Sequence, residues 1–330
     1  MTTYYGLYGQ KVQYLASDPT DVQIGQVWYN STSATLKVNQ LSTVNAWASG
    51  GNLNTARIYL AGCGTQTAAL GFGGTVSPSA SESYNGTSWT NTPSLNTGRS
   101  DFQGSGTQTA GLGVGGYTSP GVSNATEEYN GSSWSAGGNL NTARYNSAVF
   151  GIQTAAITAG GGGATPVIGT RLTSTESYNG TSWTTTPANL NTARRAFSGI
   201  GTNTAGIVMG GSAAPGATAA TESYNGSTWT SVNSLNTSRA SFGASGIQTS
   251  AIAFGGNLPS TAATELWNGT SWTTNPTGLS TARYALGSAN GATPSSTALA
   301  FGGSSTGPVA LANTEEWLGI VVQTKTVTVT

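Results

Sequence analysis

Six arginines and six glutamates recur at matching places in the sequence and supply six of its 11 basic and six of its 11 acidic residues. Such a set could form a ring of charge that binds an anionic ligand. Alternatively, each arginine could pair with a glutamate and orient strands through bidentate hydrogen bonds. Six copies at equivalent positions favour structural pairs, within or between repeats. The residues are Arg57, Arg99, Arg144, Arg194, Arg239, Arg283, Glu82, Glu127, Glu176, Glu222, Glu265 and Glu315.

The other acids are few, and the sequence has no histidine. This excludes His-based acid–base catalysis, Ser-His-Asp triads and most metal sites. A glycosidase needs two carboxylates close together, yet Asp101 alone falls on an inner strand. Glu128 and Glu316 neighbour repeat glutamates but point the opposite way, while Asp18 and Asp21 lie near the N-terminus. We therefore expect no enzyme activity, no cofactor and no metal.

The charged residues belong to a unit that recurs six times. Strand a follows the arginine, and strand b is small, apolar and ends at a diglycine. Strand c carries Glu-x-Tyr or Glu-x-Trp, and strand d carries a tryptophan after Asn-Gly. Asn-Gly at this place predicts a type I′ hairpin, whose two central residues need positive φ. The tryptophans recur every 42 to 49 residues, a period typical of solenoids and propellers.

Four short strands per unit cannot bury both faces of a sheet alone, but a radial arrangement buries each sheet against its neighbours. Small residues in strands a and b suit the crowded axis, and the aromatics of strands c and d fill the wider outer space. We predict an all-β, six-bladed propeller with four antiparallel strands per blade over residues 36–319. Residues 1–35 would be an N-terminal docking segment that contains a hairpin, and residues 320–330 a C-terminal strand or tail.

The count of strands predicts how the ring closes. The sixth unit ends at Trp317 without a following strand d, whereas a spare strand d with Trp47 precedes the first full unit. We expect the Trp47 strand to complete the blade formed by residues 283–317, which removes open sheet edges. In the alternative, the strand Val321–Thr330 closes that blade.

The order of arginine, diglycine, Glu-x-Tyr and tryptophan resembles the kelch repeat over about residues 36–318. This resemblance implies a six-bladed kelch β-propeller. Kelch-related copper oxidases use histidine ligands and a tyrosine linked to cysteine, so their activity is not implied for a chain without histidine.

The segment GQVWYNSTSATLKV and the glycine- and threonine-rich, closely similar repeats are also similar to virion proteins of tailed phages, especially marine ones. There, such segments precede tail, fibre or appendage modules. The resemblance implies a location in the virion, contacts with other virion proteins through residues 1–35, and a homo-oligomer or multiple copies per particle. The sequence shows no basic stripe for nucleic acid, no membrane span and no secretory signal.

The b–c loops differ between repeats, and strand alternation places them on one rim together with the d–a connections. Variable loops on a rigid scaffold often carry recognition, although unconstrained drift would give the same variation. We predict ligand contacts from Tyr117, Pro120, Pro166, Arg171 and Pro215. The expected function is a non-catalytic adhesin for a host-surface glycan or protein. A purely structural virion decoration protein and a carbohydrate-active enzyme are the alternatives.

Overall fold

The computed structural model of the protein describes residues 12–20, 23–119, 121–164, 170–257, 259–291, 296–305, 307 and 309–327. These residues form strands joined by turns and contain no helix, hence none that is long and apolar enough to cross a membrane. The chain divides into two compact units, one of residues 46–317 and one of residues 1–45 with 318–330.

Five four-stranded antiparallel sheets follow one another in the larger unit, and in each the strands pair in chain order a, b, c, d. Their bounds are Ala61–Thr65, Ala68–Phe72, Ser81–Tyr84 and Trp89–Thr92 in sheet I; Gln103–Thr107, Ala110–Val114, Thr126–Tyr129 and Trp134–Ala136 in sheet II; Ala148–Ile152, Ala155–Ala159, Ser174–Tyr178 and Trp183–Asn189 in sheet III; Ser198–Thr202, Ala205–Met209, Thr221–Tyr224 and Trp229–Val232 in sheet IV; Gly243–Ile247, Ser250–Phe254, Thr264–Trp267 and Trp272–Asn275 in sheet V.

Sheet VI draws on both ends of the larger unit. Its strands a to d lie in Gly287–Ser288, Thr297–Phe301, Thr314–Thr326 and Thr35–Ser49. The Trp47 strand is therefore its strand d, as predicted. Residues beyond Trp317 continue strand c, so they do not supply the separate closing strand of the alternative.

In the smaller unit, Val27–Asn30 pairs antiparallel with the start of Thr35–Ser49, which forms the expected hairpin. Gln13–Leu15 lies parallel to Val27–Asn30. The Val327 amide donates to the Leu36 carbonyl at 2.8 Å and holds the C-terminal segment to this hairpin.

The division between the units differs from the segments 1–35, 36–319 and 320–330 that the sequence suggested. Backbone pairing explains the difference, because the hairpin strand runs on without a break past residue 35 and the chain end pairs with it. The two chain ends thus share one unit.

The inner strands are rich in glycine because neighbouring sheets approach each other closely there. A Cβ atom added at Gly104 of sheet II would lie 2.5 Å from the Phe72 ring of sheet I and 2.9 Å from the Gly62 carbonyl oxygen. Both distances are shorter than a van der Waals contact. Sheet II can therefore seat the Phe72 ring of sheet I only because Gly104 lacks a side chain.

The Asn-Gly turns do form hairpins between strands c and d, but the predicted type I′ geometry is wrong. In the first turn Gly86 has a φ of +90°, whereas Asn85 is not in the left-handed region. The Asn85 side-chain oxygen instead accepts hydrogen bonds from the Thr87 and Ser88 amides, both at 2.9 Å. Asparagine is used here for its side chain, which caps the turn. The same pattern holds at Asn130, Asn179, Asn225 and Asn268.

The b–c loops and d–a connections share one side of the larger unit, which we call the variable face. There the residue after a repeat arginine pairs with a residue after a diglycine. These bridges join Ser100 to Tyr117, Arg195 to Ser212, Ala240 to Asn257 and Tyr284 to Ser304. Short strand pairs on the same face are Tyr117–Thr118 with Gly121–Val122 and Arg144–Tyr145 with Gly162–Gly163.

Candidate functional site

Each repeat arginine forms an ion pair with the glutamate on strand c of its own sheet. In sheet I, Arg57 Nη2 donates to Glu82 Oε1 at 2.8 Å, and Arg57 Nη1 donates to the carbonyls of Gly73 and Ala80. The other carboxylate oxygen of Glu82 accepts from the Asn54 amide at 2.7 Å. The six pairs span 2.5 to 2.8 Å, and every arginine side chain is at most 1% exposed. They hold the frame together and are not offered to a ligand.

The backbone amides of the diglycines are also hydrogen-bonded within the protein. The Gly73 amide donates to the Ala80 carbonyl at 2.8 Å, and the Gly74 amide donates to the Arg99 carbonyl of the next sheet at 2.9 Å. Their φ values are +66° and +99°, a region that favours glycine. These amides join strand ends and adjacent sheets rather than cradle an anion.

The two surplus glutamates are engaged between sheets. The Tyr84 hydroxyl donates to Glu316 Oε1, and the Tyr178 hydroxyl donates to Glu128 Oε1; in each case the glutamate belongs to the preceding sheet. Burial and the adjacent carboxylate raise the pKa of both tyrosines to about 12. Neither glutamate is a free acid for catalysis.

A cycle of six backbone hydrogen bonds links all six sheets. The second residue after each repeat arginine has a φ between +50° and +56°, and its amide donates to the carbonyl of the corresponding residue in another sheet. The N···O distances are 2.6 to 3.1 Å. The cycle runs through Tyr59, Asp101, Asn146, Ala196, Ser241 and Ala285 and returns to Tyr59. It brings six side chains of five residue types around one point.

Five of these six residues, all except Ala285, line a recess on the variable face. The recess has a volume of about 310 Å³ and is also lined by Tyr145, Arg195, Ser212 and Asn257. A second cavity of about 20 Å³, walled in part by the same six residues, has room for about one water molecule. We call the larger space the axial recess.

Asp101 is the one carboxylate among the residues that line the axial recess. Its Oδ1 accepts from Asn146 Nδ2 at 3.0 Å, and its Oδ2 accepts from the Ser100 hydroxyl at 2.9 Å. Burial raises the pKa of Asp101, and burial together with the nearby Asp101 charge raises the pKa of Tyr59. Perturbed groups in a concavity are typical of functional sites.

An aromatic and cationic stripe runs along the edge of this recess. Arg195 Nη1 donates to the Tyr145 hydroxyl, and the Arg195 guanidinium carbon lies 5.5 Å from the centre of the Tyr145 ring. The Tyr117 ring meets Tyr145 edge-on with centroids 6.2 Å apart. This stripe of Tyr117, Tyr145 and Arg195 offers ring faces and donors beside the carboxylate.

No protein-family model and no curated protein matches the sequence. Among solved structures, that of YjhT is similar, with a TM-score of 0.67 over 83% of this chain and 99% of the YjhT chain. The larger unit has a β-propeller-like, all-β fold. At 15% identity the likeness bears on the fold alone.

The structure separates the predicted contact residues of this propeller-like fold. Tyr117 is 40% exposed on the variable face, and Pro215 is exposed at the tip of a b–c loop. Arg171 donates to the Ser212 carbonyl at 3.0 Å and also contacts the Ser212 hydroxyl, so it joins two b–c loops. Pro120 and Pro166 lie outside the described residues.

Sequence reasoning missed most of the axial recess. The sequence does not single out Tyr59, Asn146 or Arg195, and the prediction that Asp101 falls on an inner strand is wrong. Asp101 lies in the bend before strand Gln103–Thr107, where its amide takes part in the backbone cycle. A signal was present, because the two residues after each repeat arginine vary although the connection before them is nearly constant. Among the described residues, no group of three histidine, cysteine or acidic side chains could hold a metal ion.

Proposed function

We propose that this chain is a non-catalytic adhesin of a tailed-phage virion whose six-bladed, kelch-like propeller binds a host-surface glycan through the axial recess. One observation carries the proposal. The side chains that the repeat does not need for its own contacts converge on a single recess in the variable face.

The blade number rests on equivalent contacts between successive sheets. The Gly74 amide of sheet I donates to the Arg99 carbonyl of sheet II, and the Gly303 amide of sheet VI donates in the same way to the Arg57 carbonyl of sheet I. Together with the backbone cycle, this supports a ring of six blades that closes on itself. The arginine, diglycine and Glu-x-Tyr contacts support the kelch comparison.

The chemistry of the axial recess suits a glycan. Its volume of about 310 Å³ lies in the range of about 300–1,000 Å³ for small-ligand sites. Hydroxyl, amide and carboxylate groups of Ser241, Asn146 and Asp101 can bond to sugar hydroxyls, and the Tyr145 ring can cover an apolar sugar face.

The positions of the acidic residues support a non-catalytic role. Glycoside hydrolysis commonly uses two carboxyl groups roughly 5 to 10 Å apart, and Asp101 is alone in the recess. The remaining acids of the larger unit are bound to arginines or tyrosines.

The virion assignment rests on the N-terminal resemblance. Residues 1–35 would contact other virion proteins, and multiple copies per particle would raise avidity from weak single sites. A decoration protein would use the same face against another virion protein, and would then bind no glycan.

A glycan array probed with the full chain tests the proposal. The variant Ala196→Tyr fills the recess with the residue that the equivalent position 59 already carries, so its fold should persist. We expect it to lose glycan binding, whereas Ile152→Ala, at a 54% exposed position at the end of strand a on the opposite rim, should retain binding. Absence of any bound glycan would overturn the adhesin proposal, and release of cleaved or altered glycan would establish an enzyme.

A further inference from the structure

We infer that the variable face binds an extended, neutral oligosaccharide that occupies the axial recess and a second groove beside it, so that affinity rises with chain length. This inference rests on the proposed function and adds the size and character of the ligand. It depends on the second groove, which the glycan proposal does not use.

The second groove lies between the b–c loops of sheets I and II and has a volume of about 410 Å³. We call it the outer groove. Its walls include Thr75, Val76, Pro78, Ser100 and Tyr117. Two hydroxyl groups and three apolar or aromatic surfaces therefore face the same space. A pyranose ring presents a matching combination of hydroxyl edges and apolar faces.

The outer groove and the axial recess adjoin. Ser100 lines the outer groove, Asp101 lines the axial recess, and the Ser100 hydroxyl donates to the Asp101 carboxylate at 2.9 Å. Likewise, Tyr117 of the outer groove touches the ring of Tyr145 in the axial recess. Neighbouring residues and neighbouring rings thus form a continuous track from one space to the other.

Charge differs along this track. Asp101 and Arg195 lie at the axial end. The outer groove includes Arg99, but its guanidinium is paired with Glu127 and the side chain is 1% exposed. A ligand that extends into the outer groove therefore meets hydroxyls and apolar surfaces there, which favours neutral sugar units.

The exposure and backbone conformation of Val76 are a separate observation that favours a binding role for the outer groove. Val76 is 72% exposed and has a φ of +78°. A β-branched residue in the left-handed region is strained. Neither burial nor turn geometry calls for valine at this position, whereas a ligand would be covered by its methyl groups.

The axial recess is also lined by Asn257, whose side-chain oxygen lacks a donor among the described residues. This oxygen, Asn257 Oδ1, is buried. Buried polar atoms are normally satisfied. Rotation of the Asn257 amide toward the recess would let a sugar hydroxyl satisfy this acceptor and fix one end of the oligosaccharide.

Calorimetric titration of the full chain with neutral cello-, malto- and manno-oligosaccharides of increasing length tests the inference. We expect the best series to gain about tenfold in affinity once the ligand is long enough to reach Tyr117, since a stacked ring contributes on this scale. Val76→Ala should reduce that gain and leave the affinity for the shortest ligand unchanged, whereas Tyr117→Ala should abolish the gain. Val309→Ala, at a 63% exposed valine in the b–c loop of sheet VI, is the matched control and should retain the gain.

Affinity that does not depend on length would overturn the extended site while leaving the glycan proposal intact. An equal loss of affinity for short and long ligands in Val76→Ala would also overturn the extended site. If none of the three series binds, this inference fails, and the array decides separately whether the axial recess binds another glycan.

Discussion

Asp101 and Arg57 show two ways in which this chain accommodates a buried charge. Arg57 is paired with Glu82 and donates to two carbonyls, so its charge is matched within the frame. Asp101 receives only neutral hydrogen bonds from Ser100 and Asn146, and burial raises the pKa of its carboxyl group. Only the second arrangement leaves a charge open to a ligand.

Replacing Asp101 with asparagine should stabilise the protein in a pH-dependent manner. The folded-state pKa of Asp101 lies above its unfolded value of 3.8, so folding disfavours the ionised form. The stability that the neutral carboxyl contributes is present below that value and is lost as pH rises through the folded pKa. Asp101→Asn should therefore raise the melting temperature at about pH 7, and the difference should vanish near pH 3.

Ser241→Ala is the control for this experiment, because it alters an uncharged residue at an equivalent position of the backbone cycle. The change in melting temperature caused by Ser241→Ala should not vary with pH. A melting temperature of Asp101→Asn that falls at neutral pH would show that the ionised carboxylate stabilises the fold, contrary to our expectation.

Residue pairing could be predicted from sequence, but the recess could not. The equivalents of Arg144 and Glu176 occur in all six repeats. This identifies them as structural pairs, because a single ligand site would need such a pair in only one repeat. Asp101, Asn146 and Arg195 have no such counterpart, since each occurs in one repeat. Their convergence depends on the backbone cycle, which no local pattern encodes.

Strand d of one sheet and strand c of the preceding sheet are joined by a repeated hydrogen bond. The indole N–H of Trp89 donates to the Thr314 hydroxyl at 2.9 Å, and Trp183 donates to Thr126 at the same distance. Trp229 and Trp47 do likewise to Thr175 and Thr264. The threonine before Glu127, Glu176, Glu265 and Glu315 is therefore part of the contact between sheets.

Ser81→Thr should stabilise the contact between sheets I and II. Ser81 occupies the threonine position, yet neither its hydroxyl nor the Trp134 indole N–H has a partner among the described residues. Threonine has a more restricted χ1 than serine, and four of the five threonines at equivalent positions accept this bond. We expect a gain of about 1 kcal/mol in the free energy of unfolding, measured by urea denaturation.

The substitution Thr126→Val serves as the matched control at the contact between sheets II and III. It keeps the shape and removes the acceptor of the Trp183 indole, so it should cost about 1–3 kcal/mol. If Ser81→Thr destabilises the protein instead, the added methyl group does not fit and the hydroxyl is not the limiting feature.

Element order was readable from the sequence, whereas turn geometry was not. Landmarks such as Glu82 and Trp89 mark strands c and d because each strand must place one of them at a fixed contact. Asn85-Gly86 is compatible both with a type I′ turn and with a turn capped by the asparagine side chain. The Thr87 and Ser88 amides decide between the two turns, because both donate to the Asn85 side chain. The residue types alone do not show that these amides point toward Asn85.

The closure of the larger unit depends on a strand from the opposite end of its sequence. Trp47 lies 4.7 Å from the Phe254 ring and 5.4 Å from the Trp317 ring, measured between centroids. Its indole N–H donates to the Thr264 hydroxyl at 2.9 Å. The same bond from Trp183 joins sheets II and III, where the chain is continuous. Substitutions of the two tryptophans therefore compare a contact between sheets whose residues lie far apart in the sequence with one whose residues lie closer in the sequence.

Trp47→Ala should lower the stability of the whole unit rather than loosen one strand. A buried tryptophan replaced by alanine costs about 3–5 kcal/mol, and we expect this from Trp183→Ala, with at least half as much from the partly buried Trp47. Denaturant unfolding of each variant, followed by tryptophan fluorescence and by far-ultraviolet circular dichroism, should give single coincident transitions. Each sheet lacks a second covered face until its neighbours are in place, so loss at any junction is felt by all. An early, separate transition in Trp47→Ala with an unchanged main transition would mean that this strand only covers a structure already complete without it.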